Sequence, residues 1–249
     1  MTAQVDHFEL MTALVYRASD SNEPYSLLAR HFARLRTAHA AFAQERPESW
    51  CARVRMPDEA QILEALQGAV HDAQAEGKQG DLRLRLRIQP DGRSAAEAFL
   101  LTPMPSYPVR LVLDDRPTRY DEPHMRYKTT RRREYDESRL RQHATLHPSE
   151  DPIDPPFDVI LFNAAGEVTE TTIANIAFRF GGALEEPYLT PRANCGLLQG
   201  VMRTELLEAG RIREGSVTIE QVKRAAQAGQ LDIICFNAIR GVFSAYMQA

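Results

Sequence analysis

The chain has 249 residues, 43% of them hydrophobic, which is enough for one large domain or two small ones with real cores. A formal net charge of −4 and a pI near 6.0 give no basic footprint, so composition does not support nucleic-acid binding. Three widely spaced cysteines suit a reducing compartment, and no apolar run is long enough to span a bilayer. Residues 1–6 are too short and acidic for a signal peptide, so we expect a cytoplasmic protein with no membrane partner.

The first half of the chain predicts a small lobe of strands and helices. Its most regular segment is Leu82–Ile88, where leucine or isoleucine alternates with arginine, as in a strand with one buried and one polar face. In chain order, the predicted elements are a strand at Phe8–Tyr16, helices within Pro24–Arg46 and Pro57–Gly77, and strands at Leu82–Ile88, Ala98–Leu101 and Val109–Leu113.

The stretch Asp114–Pro123 interrupts this pattern with paired acids and two prolines. It is the predicted boundary between a lobe of residues 1–115 and a larger lobe of residues 124–249. The second lobe is predicted to contain helices at Arg133–Leu146, Gly200–Ala209 and Ile219–Ala228, and strands at Phe157–Phe162, Asn175–Phe180, Val217–Ile219 and Leu231–Phe236. Interspersed helices and short strands indicate an α+β fold in two lobes, with the cleft between them as the expected ligand site.

Lys128 is the candidate for a covalent bond to a cofactor. A lysine amine bonds to an aldehyde only when it is deprotonated and held at the carbon, so such lysines are desolvated. The chain has three lysines: Lys78 lies in a glycine-rich turn, Lys223 on a short polar helix, and Lys128 between a proline-bounded linker and a helix. This comparison alone leaves an ordinary solvated lysine as an equal alternative.

Three other features could serve a phosphorylated cofactor, and two of them have an ordinary alternative. Glu170 could partner a ring nitrogen, or be an exposed acid at the end of a strand. Arg34 could contact a phosphate in bidentate fashion, or be one more charge on a solvated helix face. The helix that begins at Gly200-Val201 offers backbone amides of the kind that bind phosphate.

Other polar clusters are expected to be structural. His143 and His147 are four residues apart on a predicted helix, but no third ligand is in sight, so no metal site is predicted. The arginines of Leu82–Ile88 predict a solvated strand face, although one of them could meet a substrate carboxylate. Tyr135 lies seven residues after Lys128, and its position fits a cofactor contact and a packing role equally well.

Taken together, these segments resemble the fold-type IV pyridoxal-phosphate enzymes, the class IV aminotransferases, over the chain from about Phe8 to Val242. The resemblance rests on order and spacing: Lys128 is followed by Thr129-Thr130-Arg131-Arg132, Glu170 stands in Thr169-Glu170-Thr171-Thr172 ahead of Asn175, and Thr190-Pro191-Arg192 precedes Gly200–Arg203. Within the family, Met11-Thr12-Ala13 and Asn237–Gly241 resemble the aminodeoxychorismate lyase subgroup. The start of the chain is shorter than is usual in the family and resembles lyase halves fused behind a synthase component.

The resemblance implies pyridoxal 5'-phosphate as cofactor, a small-molecule amine as substrate and a homodimer. It implies that Lys128 is the catalytic, cofactor-bonded lysine and that Glu170 faces the ring nitrogen. The phosphate would be held by Arg34 and the amides of Val201, Met202, Ala238 and Ile239, and the substrate by Arg240 and Thr12. The implied reaction is cleavage of 4-amino-4-deoxychorismate to 4-aminobenzoate and pyruvate in folate synthesis. The alternatives are an aminotransferase acting on a D- or branched-chain amino acid, and a non-catalytic scaffold.

Overall fold

The computed structural model describes residues 8–120, 123–181 and 186–248, which form two compact units. The expectation for residues 1–6 therefore lies outside the described residues. The first unit comprises the chain up to Thr102 together with Tyr127–Arg131, and the second comprises Pro103–Arg126 and the chain from Arg132 onward.

This division differs from the predicted boundary at two places. The strand at Val109–Leu113 pairs with strands of the second unit, so it does not belong to the first lobe. The segment Tyr127–Arg131 groups with the first unit, so Lys128 is not carried by the larger lobe. Both differences have one cause: backbone pairing with distant strands, which local composition does not encode.

The first unit is a three-stranded antiparallel sheet packed on two helices. In chain order its elements are β1 (Leu10–Tyr16), α1 (Leu28–Glu45), α2 (Glu59–Ala75), β2 (Leu82–Ile88) and β3 (Ser94–Leu100), and the sheet order is β1-β2-β3. The leucines and isoleucine of β2 are buried as predicted, and they join α1 and α2 in one core. Helix α2 begins where Asp58 and Gln61 form reciprocal capping bonds. The strand that was predicted at Ala98–Leu101 is β3, which begins four residues earlier, at Ser94.

The polar face of β2 is an ion-paired surface. Arg85 pairs with Glu97 at 2.6 Å, Arg87 pairs with Glu9 at 2.9 Å, and the guanidinium of Arg83 lies 4.7 Å from the centre of the Phe99 ring. These cross-strand contacts agree with the predicted solvated strand face.

Residues 128–130 extend the first unit by pairing with the start of β1. The Met11 amide donates to the Lys128 carbonyl at 2.9 Å, and the Thr130 amide donates to the Glu9 carbonyl at 3.0 Å. The Glu9 amide in turn donates to the Thr130 hydroxyl at 3.0 Å. Lys128 is therefore fixed by its backbone, whatever its side chain does.

The second unit is built on an eight-stranded mixed sheet. Its strands are β4 (Val109–Leu113), β5 (Asp158–Phe162), β6 (Val168–Thr171), β7 (Asn175–Phe180), β8 (Tyr188–Pro191), β9 (Ile212–Gly215), β10 (Leu231–Asn237) and β11 (Gly241–Met247), in the order β6-β5-β4-β11-β10-β7-β8-β9. Its helices are α3 (Pro123–Arg126), α4 (Arg133–Arg141), α5 (Val201–Glu208) and α6 (Ile219–Gln227). All five residues of β5, which lies between β6 and β4, are buried, so both faces of the sheet are covered at this strand.

Two predicted elements of this unit differ from the structure. The strand predicted at Val217–Ile219 is replaced by β9 at Ile212–Gly215, because Thr218 forms a capping box with Gln221 and so begins α6. Helix α4 ends at Arg141 and not at Leu146. The mixed α+β class itself is confirmed. No helix among the described residues combines the length and apolarity needed to cross a membrane.

Candidate active site

In the first unit, β1 and α1 bring three polar side chains together near Lys128. The Thr12 hydroxyl lies 2.7 Å from Nδ1 of His31, and Nη2 of Arg34 donates to the same hydroxyl at 2.5 Å. Thr12 and His31 are buried, whereas Arg34 and Lys128 are half-buried. The sequence offered no signal for His31, because a single histidine on a helix is uninformative until its neighbours are known.

The charges of this cluster influence one another. Burial lowers the pKa of His31 to about 3, and the nearby cations Arg34 and Lys128 act in the same direction. Burial also lowers the pKa of Arg34 to about 10, which still leaves the guanidinium charged at neutral pH. The cluster therefore holds a neutral imidazole beside two basic side chains.

Thr12 was predicted to contact substrate, and the structure corrects this. Strand alternation places Thr12 on the same face as the buried Leu10 and Leu14, directed at the helices, whereas Met11 and Ala13 lie on the opposite face. The Thr12 side chain has no exposed surface, and its hydroxyl is engaged by His31 and Arg34.

In the second unit, Glu170 is a buried carboxylate at the end of β6. Its side chain is 3% exposed, which removes the alternative of an exposed acid. Oε1 accepts a hydrogen bond from the Tyr135 hydroxyl at 2.8 Å and another from the Leu198 amide at 3.1 Å. Burial, together with the charge of Glu170, raises the pKa of Tyr135 well above its usual value, so this tyrosine remains a donor. Tyr135 thus orients the carboxylate.

The turn that follows Glu170 is held in place by hydrogen bonds to a second buried acid, Asp158. The Thr172 hydroxyl donates to Oδ1 of Asp158 at 2.5 Å, and the Thr172 amide donates to the same oxygen at 3.3 Å. On the other side, Nη2 of Arg132 donates to the Thr172 carbonyl at 2.5 Å, and its guanidinium lies 4.6 Å from the centre of the Tyr135 ring. Asp158 was not a candidate from sequence, because its role depends on a turn 14 residues away.

The first turn of α5 is positioned by Asn175. Its Oδ1 accepts from the Gly200 amide at 3.2 Å, and its Nδ2 donates to the Leu198 carbonyl at 2.7 Å. Helix α5 begins at Val201, so the amides of Val201 and Met202 belong to its first turn, where amides have no partner within the helix. Their role in binding a phosphate stays a prediction.

Gly200 tolerates no side chain in this arrangement. A Cβ atom there would lie 2.2 Å from Oδ1 of Asn175. Gly200→Ala should therefore lower the free energy of unfolding by about 1–3 kcal/mol, as the asparagine bonds are lost and the turn shifts. Thermal unfolding measures this. Gly68→Ala is the matched control, because a Cβ at Gly68 within α2 has no neighbour within 4 Å, and it should stabilise the protein by about 0.5–1 kcal/mol. Equal effects of the two substitutions would contradict the assignment.

The turn between β10 and β11 differs from its predicted role. Ile239 was predicted to offer its amide to a phosphate, but that amide donates to Oδ1 of Asn237 at 3.0 Å. The Arg240 amide donates to the same oxygen at 2.8 Å, and Nδ2 of Asn237 donates to the Ile173 carbonyl at 3.2 Å. An asparagine before a tight turn satisfies these two amides locally. In this turn, the Ala238 amide therefore stays the one predicted donor to a phosphate.

Arg240 follows this turn and is half-buried. Its guanidinium lies 5.1 Å from the centre of the Phe157 ring. A cation held against an aromatic face keeps its charge while part of its surface is covered.

Among the described residues, no group of three or more histidine, cysteine, aspartate and glutamate side chains could hold a metal ion.

Comparison with known proteins gives these residues a context. The chain matches the model of the family described as Amino-transferase class IV over residues 7–244. A Schizosaccharomyces pombe protein, provisionally named an aminodeoxychorismate lyase, is 30% identical over 217 residues, which cover 87% of this chain and 81% of that protein.

Solved structures agree on the fold. A provisionally named amino-acid aminotransferase from Mesorhizobium loti is 27% identical, with a TM-score of 0.75 over 96% of this chain and 99% of that chain. The 4-amino-4-deoxychorismate lyase from Pseudomonas aeruginosa is 18% identical, with a TM-score of 0.60 over 96% of this chain and 83% of that chain. The fold matches fold-type IV pyridoxal-phosphate enzymes. The chain belongs to the class IV aminotransferase family.

Proposed function

We propose that this protein is a pyridoxal-phosphate-dependent lyase that converts 4-amino-4-deoxychorismate into 4-aminobenzoate and pyruvate. The observation that carries this choice is the likeness to the provisionally named aminodeoxychorismate lyase of S. pombe over 87% of the chain. Arg240 supports the same choice, because this substrate carries two carboxylates and a guanidinium can bind one of them. The proposal includes a small-molecule amine substrate, a homodimer and a place in folate synthesis.

The residues present fit pyridoxal 5'-phosphate. Nε of Arg34 is buried and has no hydrogen-bond partner among the described residues, so the guanidinium retains a donor for a phosphate. The first turn of α5 offers backbone amides of the kind that bind phosphate, and no side chain at Gly200 obstructs them. Glu170 is a buried carboxylate with a fixed orientation, as a partner for a protonated ring nitrogen must be.

The bound cofactor would supply an electron sink for the charge that develops at the amine-bearing carbon of the substrate. Lys128 would bond to it, and in its neutral form the same amine would accept the proton from that carbon. Glu170, oriented by Tyr135, would keep the ring nitrogen protonated. The breaking bond joins the ring to the enolpyruvyl oxygen. The proton lost from the ring carbon is balanced by the proton that converts enolpyruvate to pyruvate, so no further reactant is needed.

Arg240 is proposed to bind a substrate carboxylate, because burying a carboxylate without a cation is costly. Arg240→Ala should raise the Michaelis constant for aminodeoxychorismate about tenfold or more, the effect of losing a charge-assisted contact. Steady-state kinetics measure this, and the affinity for cofactor, measured in parallel by absorbance titration, should stay unchanged. Loss of cofactor from the variant would instead place Arg240 in the phosphate site.

Incubation with aminodeoxychorismate tests the proposed reaction itself. The purified protein loaded with cofactor should release 4-aminobenzoate and pyruvate in equal amounts. An aminotransferase is the second candidate, favoured by the 27% identity to the M. loti protein. Amino transfer from alanine or a branched-chain amino acid, without release of 4-aminobenzoate, would establish that candidate and overturn the lyase.

A further inference from the structure

The Thr12 hydroxyl is the only link between His31 and Arg34 that the described hydrogen bonds show. It lies 2.7 Å from Nδ1 of His31 and accepts from Nη2 of Arg34 at 2.5 Å. All of these groups belong to the first unit, on β1 and α1. Thr12 and His31 are both buried, so water does not compete for these bonds.

The chemistry of Arg34 fixes the direction of one bond, and the tautomer of His31 decides the direction of the other. A guanidinium can only donate, so the Thr12 oxygen serves Arg34 as an acceptor. The proton of the hydroxyl is then available to His31, whose Nδ1 accepts it when the imidazole is neutral and carries its proton on Nε2. Donation by the hydroxyl strengthens its oxygen as an acceptor for Arg34, because hydrogen bonds in a chain polarise one another.

The charged groups around His31 favour this neutral form. Arg34 on α1 and Lys128 in the segment paired with β1 both lower its pKa, together with burial. Nε2 of His31 is buried without a hydrogen-bond partner among the described residues, so an imidazolium would find no compensating acceptor there.

We infer that His31 and Thr12 are positioning residues for phosphate binding: neutral His31 orients the Thr12 hydroxyl, and this hydroxyl holds Arg34 with its Nε donor available to the phosphate. The inference rests on the proposed function, in which Arg34 meets the phosphate of pyridoxal 5'-phosphate. It assigns a role to two buried residues that touch neither cofactor nor substrate.

Pyridoxal, which lacks the phosphate, separates this role from a merely structural one. Thr12→Val removes the hydroxyl at nearly constant volume, and it should raise the dissociation constant for pyridoxal 5'-phosphate about tenfold. The dissociation constant for pyridoxal should change less than about twofold, because pyridoxal makes no contact with Arg34. Thr12→Ser keeps the hydroxyl and should bind both compounds like the wild type. Absorbance titration of each variant gives these constants, and thermal unfolding without ligand confirms that the variants fold.

His31 is tested by a matched pair of substitutions. His31→Asn places an acceptor near the position of Nδ1 and should retain most of the affinity for pyridoxal 5'-phosphate, whereas His31→Leu should weaken it about as much as Thr12→Val does. The double variant with Thr12→Val and His31→Leu should be no worse than either single variant, since the two residues act through one hydroxyl.

The outcomes separate this inference from the proposed function. If Thr12→Val weakens pyridoxal and pyridoxal 5'-phosphate equally, or weakens neither, the positioning role is wrong although the wild type binds cofactor. If the wild type binds pyridoxal 5'-phosphate no better than pyridoxal, Arg34 is not a phosphate ligand and the proposed function fails as well. A His31 ring whose NMR signals titrate between pH 5 and 8 would also overturn the inference, because neutral His31 is part of it.

Discussion

Lys128→Ala should reduce turnover by at least about 10³-fold, because the same amine is proposed to bond to the cofactor and to accept the substrate proton. The fold should survive. The Lys128 carbonyl accepts a hydrogen bond from the Met11 amide at 2.9 Å, and alanine preserves this backbone bond. Turnover with aminodeoxychorismate, circular dichroism and thermal unfolding, measured on the same preparation, separate a catalytic effect from a structural one.

The other two lysines are natural controls for this substitution. Lys78 pairs with Glu76 at 2.7 Å, a surface contact worth little, and Lys223 is exposed on α6. Lys78→Ala and Lys223→Ala should therefore leave turnover at the wild-type level. A Lys128→Ala variant that keeps even a tenth of wild-type turnover would remove Lys128 from the reaction.

Glu170→Gln should lower turnover by about 10²-fold or more while cofactor affinity changes little. Oε1 accepts hydrogen bonds from the Tyr135 hydroxyl and the Leu198 amide, and the amide oxygen of glutamine can accept both. What the substitution removes is the negative charge that would keep the ring nitrogen protonated. Steady-state kinetics and an absorbance titration with pyridoxal 5'-phosphate give the two quantities.

Glu167→Gln is the control for this prediction, because Glu167 lies just before the same strand and pairs with Arg192 at 2.6 Å. That substitution should leave turnover unchanged. If Glu170→Gln turns over like the wild type, Glu170 does not serve the ring. If it loses cofactor altogether, Glu170 contributes to binding and not to the electron sink.

Regular patterns made part of the fold predictable. In β2, every second residue from Leu82 to Ile88 is buried. Alternation of apolar and polar residues is typical of a strand with one covered face, so this strand could be predicted. The strands β6 and β8 were not predicted, since each has four residues and is rich in polar side chains. Backbone pairing makes them strands: β6 pairs with the preceding strand β5, and β8 pairs with β7 and with β9.

The candidate site was predictable at its chemically distinctive residues and not at their supports. Lys128 and Glu170 stood out because their chemistry and spacing resemble those of a family. Thr12 was assigned to substrate from the resemblance of Met11-Thr12-Ala13 to the lyase subgroup, whereas the structure buries its side chain. The Ile239 amide was assigned to phosphate from its place just beyond a predicted strand, and the bond that it donates to Oδ1 of Asn237 depends on the geometry of the turn. Tyr135 was left open between two roles, and the structure gives it a third, as a donor to Glu170.

Borohydride reduction of the cofactor-loaded protein, followed by peptide mapping, tests whether Lys128 carries the cofactor. Reduction makes the bond between a lysine and pyridoxal 5'-phosphate permanent, and the chain has three lysines, Lys78, Lys128 and Lys223, that different peptides can report. We expect one label per chain, on the peptide that contains Lys128. Label on Lys78 or Lys223, or no label after saturation with cofactor, would contradict it.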